Sequence, residues 1–129
     1  AGASGGCQAE IGSASGMAAA AICSVRGGSK EQMGHACAMA LKNLMGLVCD
    51  PVAGLVEVPC VKRNVGGAVN ALAAADMALA GIASHIPVDQ VIDAMGEVGM
   101  KMDVSLRETS MGGVATSPKG LEIAERLGM

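Results

Sequence analysis

Ser29-Lys30-Glu31-Gln32-Met33-Gly34-His35-Ala36-Cys37-Ala38-Met39-Ala40-Leu41-Lys42-Asn43-Leu44 is the stretch that decides the fold class. A hydroxyl followed three residues later by Gln is a capping box, in which each side chain satisfies a backbone N–H left free by the first helical turn. Behind it, Met33, Ala36, Cys37, Ala40, Leu41, Leu44 and Val48 recur with helical period on one face, while Glu31 and Lys42 lie off that face. The spacing predicts a helix over roughly 29–47.

Outward from this helix the pattern repeats with smaller residues. Ile11 to Val25 is a small apolar run rich in Ala, the best helix former, with Gly12 and Gly16 allowing tight packing. Arg26-Gly27-Gly28 stops it with a cation in the last turn and glycine after. Residues 1–10 read as a Gly/Ser-rich loop. Asn64 is a cap for a helix reaching about Ala83, with Val65, Ala68, Val69, Leu72, Asp76 and Leu79 along one side. Pro87 suits the first turn of a helix from Val88 to about Val98, which Gly99 ends. Ser117-Pro118 opens a last helix ending at Leu127-Gly128. Met100–Gly113 is ambiguous, and Val52–Val58 reads equally as a short strand or an irregular turn. Nowhere do strands alternate with helices. The expectation is an all-α, compact bundle of about five Ala/Gly/Met-rich helices, one domain over 1–129.

Composition narrows the function. There is no Phe, Tyr or Trp, but there are 19 Gly and 10 Met. A core without aromatics has to be built by close backbone approach. The chain starts in mid-motif without an initiator Met, so it reads as a piece of a larger protein that packs against other parts. A net charge of −3 with 16% charged residues offers no basic stripe for nucleic acid. The most apolar run, Val65 to Ile86, carries Asn70, Asp76 and His85, which suits a buried helix better than a membrane span. Five cysteines, an odd number, without a secretory signal argue for free thiols in a reducing compartment, and hence the cytoplasm.

The thiols divide by context. Cys37 lies in a helical apolar stripe and Cys23 among alanines, as core filler does. Cys7 follows Gly5-Gly6. Cys49 and Cys60 bracket a segment opened by Asp50-Pro51 and closed by Pro59, which proline keeps out of regular helix. Three thiols beside irregular chain are the raw material of a metal site, although no Cys-x-x-Cys pair is present. On spacing alone, three readings stand: a catalytic metal site with one position open, a structural or electron-transfer iron–sulfur or zinc module needing a fourth ligand, and a helical assembly segment without metal. His35 and His85 are candidate ligands or bases, more often surface or capping residues. Asp76 in an apolar helix calls for a partner. Arg63-Asn64 could grip a carboxylate, or serve as a solvated cation and a cap.

Gly5-Gly6-Cys7-Gln8-Ala9-Glu10-Ile11-Gly12, Leu47-Val48-Cys49-Asp50-Pro51 through Val58-Pro59-Cys60, and Arg63-Asn64 resemble the iron–sulfur-dependent L-serine dehydratases (L-serine ammonia-lyases). So do Asn70-Ala71-Leu72, Asp76-Met77-Ala78, Leu106-Arg107-Glu108-Thr109, Gly112-Gly113 and Thr116-Ser117-Pro118. The similarity covers essentially the whole chain and is to the C-terminal half of the catalytic α domain or subunit. It implies a 4Fe–4S cluster held by Cys7, Cys49 and Cys60, with an open iron acting as Lewis acid on the β-hydroxyl of L-serine. It further implies conversion of serine to pyruvate and ammonia, in amino acid catabolism and gluconeogenesis. Arg63 and Asn64 become candidates for holding substrate or tuning the cluster. The implied partners are an N-terminal α segment and a β domain or subunit, in an oligomer, with neither nucleic acid nor membrane. In some members a C-terminal cysteine occupies the open iron at rest; this sequence ends Arg126-Leu127-Gly128-Met129.

Overall fold

A computed structural model describes all 129 residues. They form six α-helices: α1 (Gly2–Gly5), α2 (Ile11–Val25), α3 (Lys30–Asn43), α4 (Cys60–Leu79), α5 (Val88–Lys101) and α6 (Pro118–Arg126). Short 3₁₀ turns occur at Cys7–Ala9, Val52–Gly54, Val104–Leu106 and Gly113–Thr116. The all-α expectation holds, and the sole β-type pairing is an isolated bridge between Cys49 and Arg107. No helix is long and apolar enough to cross a membrane.

The capping box of α3 is formed on both sides. Ser29 Oγ accepts from the Gln32 N–H at 3.1 Å, and Gln32 Oε1 accepts from the Ser29 N–H at 2.9 Å. α2, α3 and α4 pack against one another, and α5 lies on α3. Their common core is built of Ala19, Ala36, Ala40, Ala71, Ala74, Ala75 and Ala78, with Cys23 and Met39. Small side chains let the backbones approach closely, which replaces the bulk that aromatics normally supply. A polar network runs through this core. The buried Ser15 hydroxyl donates to the Gly67 carbonyl at 2.7 Å. Asn70 Nδ2 donates to Ser15 Oγ and to the Ala40 carbonyl, at 2.9 and 3.0 Å, and Asn70 Oδ1 accepts from Asn43 Nδ2 at 2.8 Å. These bonds tie α2, α3 and α4 together across a core made mostly of small side chains.

Several expectations are corrected. Residues 2–5 form a helical turn rather than loop, and α5 runs through Gly99 to Lys101. Gly99 is buried against Gly5 and Gln8, so its lack of a side chain serves close approach and not termination. α4 starts at Cys60, four residues before Asn64 and directly after Pro59, and it ends at Leu79 rather than near Ala83. Its buried face is Gly67, Ala71, Ala74, Ala75 and Ala78. The larger residues face outward: Val61, Val65, Val69 and Leu72 are 58, 63, 60 and 51% exposed. Asp76 is also outside, 61% exposed and paired with Arg26, so no buried carboxylate exists there. Close helix packing selects the smallest residues of α4 and turns its bulky stripe away from this core.

Candidate functional site

The three cysteines singled out by context open one cavity of about 400 Å³. Cys7, Cys49, Cys60, Arg63 and Asn64 all line it, together with Glu10 and Glu108. Cys23 and Cys37 belong to the helical core instead. His35 is a structural acceptor, its Nδ1 receiving the Ser84 N–H at 3.1 Å, and His85 is exposed.

Each thiol is placed by a different device. Cys7 begins a 3₁₀ turn after Gly6, whose φ of 72° is a conformation that favours glycine. The next residue, Gln8, is buried and anchors the turn. Its N–H donates to the Leu47 carbonyl, its Oε1 accepts from the Gly46 N–H and its Nε2 donates to the Met95 carbonyl, all at 2.9 Å. Cys49 is held by its backbone: its N–H donates to the Leu106 carbonyl and its carbonyl accepts from the Glu108 N–H, both at 2.9 Å. Cys60 is the first residue of α4, and the loop before it is closed by the Val52 N–H donating to the Val58 carbonyl at 2.9 Å.

The thiols are crowded. Burial and the neighbouring Cys7 push the Cys49 thiol up to about 12, with Glu10 and Glu108 adding to the rise. Burial and Cys7 also raise Cys60, partly opposed by Arg63. The ligand atoms of Glu10, Cys49 and Glu108 lie within 4.8 Å of one another. That group mixes one soft sulfur with two hard carboxylate oxygens, while Cys7, Cys49 and Cys60 on the same cavity wall are the thiol donor set that a thiolate-bound metal or iron–sulfur cluster takes.

Arg63 supplies the compensating charge. Its Nη1 donates to Asp50 Oδ1 at 2.6 Å and to the Val48 carbonyl at 3.0 Å, and Cys7 lines the same cavity. Burial would lower its pKa, but Asp50 and Cys7 outweigh burial and raise it. Asn64 Nδ2 donates to the Cys60 carbonyl at 2.8 Å, which fixes its amide at the cavity wall. The sequence reading missed Asp50, Glu10 and Glu108 as parts of this site. Asp50 is adjacent to Cys49 and Glu108 follows Arg107 in a noted motif, but no periodicity reveals that the two segments meet.

A family profile described as serine dehydratase alpha chain matches residues 1–115. Among curated relatives, a protein named probable L-serine dehydratase, alpha chain, of Bacillus subtilis (strain 168) is 64% identical over 126 residues, covering 98% of this chain and 42% of the relative. A like-named protein of Latilactobacillus sakei is 62% identical over 123 residues, 95% of this chain and 59% of the relative. L-serine dehydratase 1 of Escherichia coli (strain K12) is 47% identical over 111 residues, 85% of this chain and 24% of the relative. The chain thus spans less than two thirds of the length of each. With a profile match over most of its residues, the chain belongs to the serine dehydratase alpha chain family.

Proposed function

We propose that this chain is the cluster-bearing part of an L-serine dehydratase, in which Cys7, Cys49 and Cys60 hold a 4Fe–4S cluster. The observation that carries the reading is the meeting of Cys7 with the two thiols that bracket the 50–59 loop, in one cavity that also contains Arg63 and Asn64. When bound, such a cluster supplies a Lewis-acidic iron that makes the β-hydroxyl of serine a better leaving group. The chain's own residues bind and orient. Asn64, tethered to the Cys60 carbonyl, offers a fixed polar edge to substrate. Glu10 and Glu108 flank Cys49 with two carboxylates suited to the α-ammonium of an amino acid. Arg63 offsets the negative charge that three thiolates would bring together. Loss of the α-proton and the β-hydroxyl together as one water from serine leaves aminoacrylate, which tautomerises to the imine and is hydrolysed to pyruvate and ammonia.

The exposed stripe Val61, Val65, Val69 and Leu72 begins at a residue that lines the cavity. It supports the reading that the rest of an α chain covers α4 and closes the site, with a β chain and an oligomeric, cytoplasmic assembly as further proposals. A second reading, a structural or electron-transfer iron–sulfur module, draws on the same carboxylates, either of which could serve as a fourth ligand.

Anaerobic reconstitution with iron and sulfide tests both. About four irons per chain, lost in Cys49→Ser, together with pyruvate formation from serine once the full α and β chains are present, is the expected result. A loaded, complete enzyme that leaves serine untouched would select the module. Undiminished iron binding in Cys49→Ser would overturn the ligand assignment.

A further inference from the structure

Asp50 is 2% exposed, and its carboxylate joins three segments of the chain. Oδ1 accepts from Arg63 on α4 at 2.6 Å, and Oδ2 accepts from the Val114 N–H at 2.7 Å. The same Arg63 nitrogen reaches the Val48 carbonyl, and Arg63 lines the cavity together with Cys7, Cys49 and Cys60. Beneath the carboxylate sits Gly113, at a φ of 63°, where any Cβ would run into Asp50. Glycine is therefore required there by both space and backbone. A buried carboxylate is stable only when paired, and here one oxygen takes a cation and the other a backbone donor.

We propose that Asp50 is a positioning residue of the metal site. It acts through Arg63, holding the guanidinium at the Val48 carbonyl on the wall of the cysteine-lined cavity, and it locks the Gly113–Val114 turn to the cysteine loop. Arg63 is committed to this clamp rather than to a substrate carboxylate. The inference rests on the reading of Cys7, Cys49 and Cys60 as metal ligands, and it adds a coupling between the 104–116 segment and the ligand loops.

The test uses the full-length enzyme carrying Asp50→Asn, Arg63→Met and the double substitution. Two readouts are followed: the rate at which a chelator removes iron, and hydrogen exchange of the peptide containing Val114. Partners of this kind typically alter metal affinity by about 10–100-fold. The expected result is at least a tenfold faster iron loss in each single variant. The double variant should be no worse than either single one, because both remove one unit. Exchange at Val114 should rise in Arg63→Met although that residue does not touch Val114. Additive losses, or exchange at Val114 that responds only to Asp50→Asn, would overturn the clamp. Should the wild type hold no iron while the exchange coupling persists, the ligand reading fails and the role of Asp50 at a metal site fails with it. Should Asp50→Asn not fold, Gly113→Ala, which displaces the carboxylate from its other side, gives the same two readouts.

Discussion

Cys49 and Arg107 form the one β-bridge of the chain, so a candidate ligand is held by backbone from a segment more than fifty residues away. Both polar groups of the Cys49 backbone are used, toward Leu106 and Glu108. Glu108 adopts a φ of 67°, a left-handed conformation costing a non-glycine residue about 1 kcal/mol or more. Proline at 108 can neither donate the N–H nor reach that angle. Glu108→Pro is expected to lower stability by about 1–3 kcal/mol and to speed iron release. Glu108→Ala keeps the N–H and is expected to retain iron. Denaturant unfolding and chelator kinetics check both, and matching behaviour of the two variants would show that the bridge does not position Cys49.

The two carboxylates beside Cys49 make a separate prediction about substrate. Glu10→Gln and Glu108→Gln are each expected to raise KM for serine about tenfold with a smaller change in kcat. That is the equivalent of about 1.4 kcal/mol of charge-assisted hydrogen bonding. Competitive inhibition by 3-hydroxypropionate, which lacks the amino group, should be unaffected. Equal weakening of serine and of the amine-free analogue would assign the carboxylates to something other than ammonium recognition.

The core and the outer face of α4 predict opposite responses to size. Ala74 is fully buried among alanines, so Ala74→Leu forces the helices apart and is expected to cost about 1–3 kcal/mol. Val69 is 60% exposed in this chain, and Val69→Ser is expected to change its unfolding free energy by less than about 0.5 kcal/mol. In the full-length enzyme the same Val69→Ser should be clearly destabilising if the rest of the α chain covers the stripe. Thermal unfolding of both forms decides it.

The fold class was legible because α3 carries a complete local signal, a capping box followed by a periodic face, and such signals need no tertiary partner. The face of α4 was not. Hydrophobic periodicity assumes that bulk points inward, and here the interior takes Gly67, Ala71, Ala74 and Ala78 while the valines point out. Asp76 has the partner its charge calls for, Arg26, but on the outward side of α4 beside the exposed Leu72 rather than in the core. For the site, glycine and proline beside Cys7, Cys49 and Cys60 marked the thiols that line the cavity, because irregular backbone is what lets separate segments converge. Asp50, Glu10 and Glu108 enter through tertiary contacts with distant segments, which leave no trace in local spacing.

The crowded thiols set a pH dependence with a definite sign. Cys49 holds its proton to about 12 in the fold, against an ordinary value near 9, and Cys60 is shifted in the same direction. Below about 9 both folded and unfolded chains are protonated at these sites, and the stabilisation is fully present. Between about 9 and about 12 the unfolded chain releases protons that the folded chain keeps, so stability of the metal-free protein falls as pH rises through that window. Metal uptake runs the other way, because protons compete with the metal for thiolate, so binding tightens with rising pH. Urea midpoints of metal-free protein should therefore drop between about pH 8 and about pH 10, while chelator competition at the same two values should show tighter iron retention. Cys49→Ala removes one of the shifted groups and should flatten the metal-free slope. An unchanged slope in that variant would mean that Cys49 ionises in the fold as readily as in the unfolded chain.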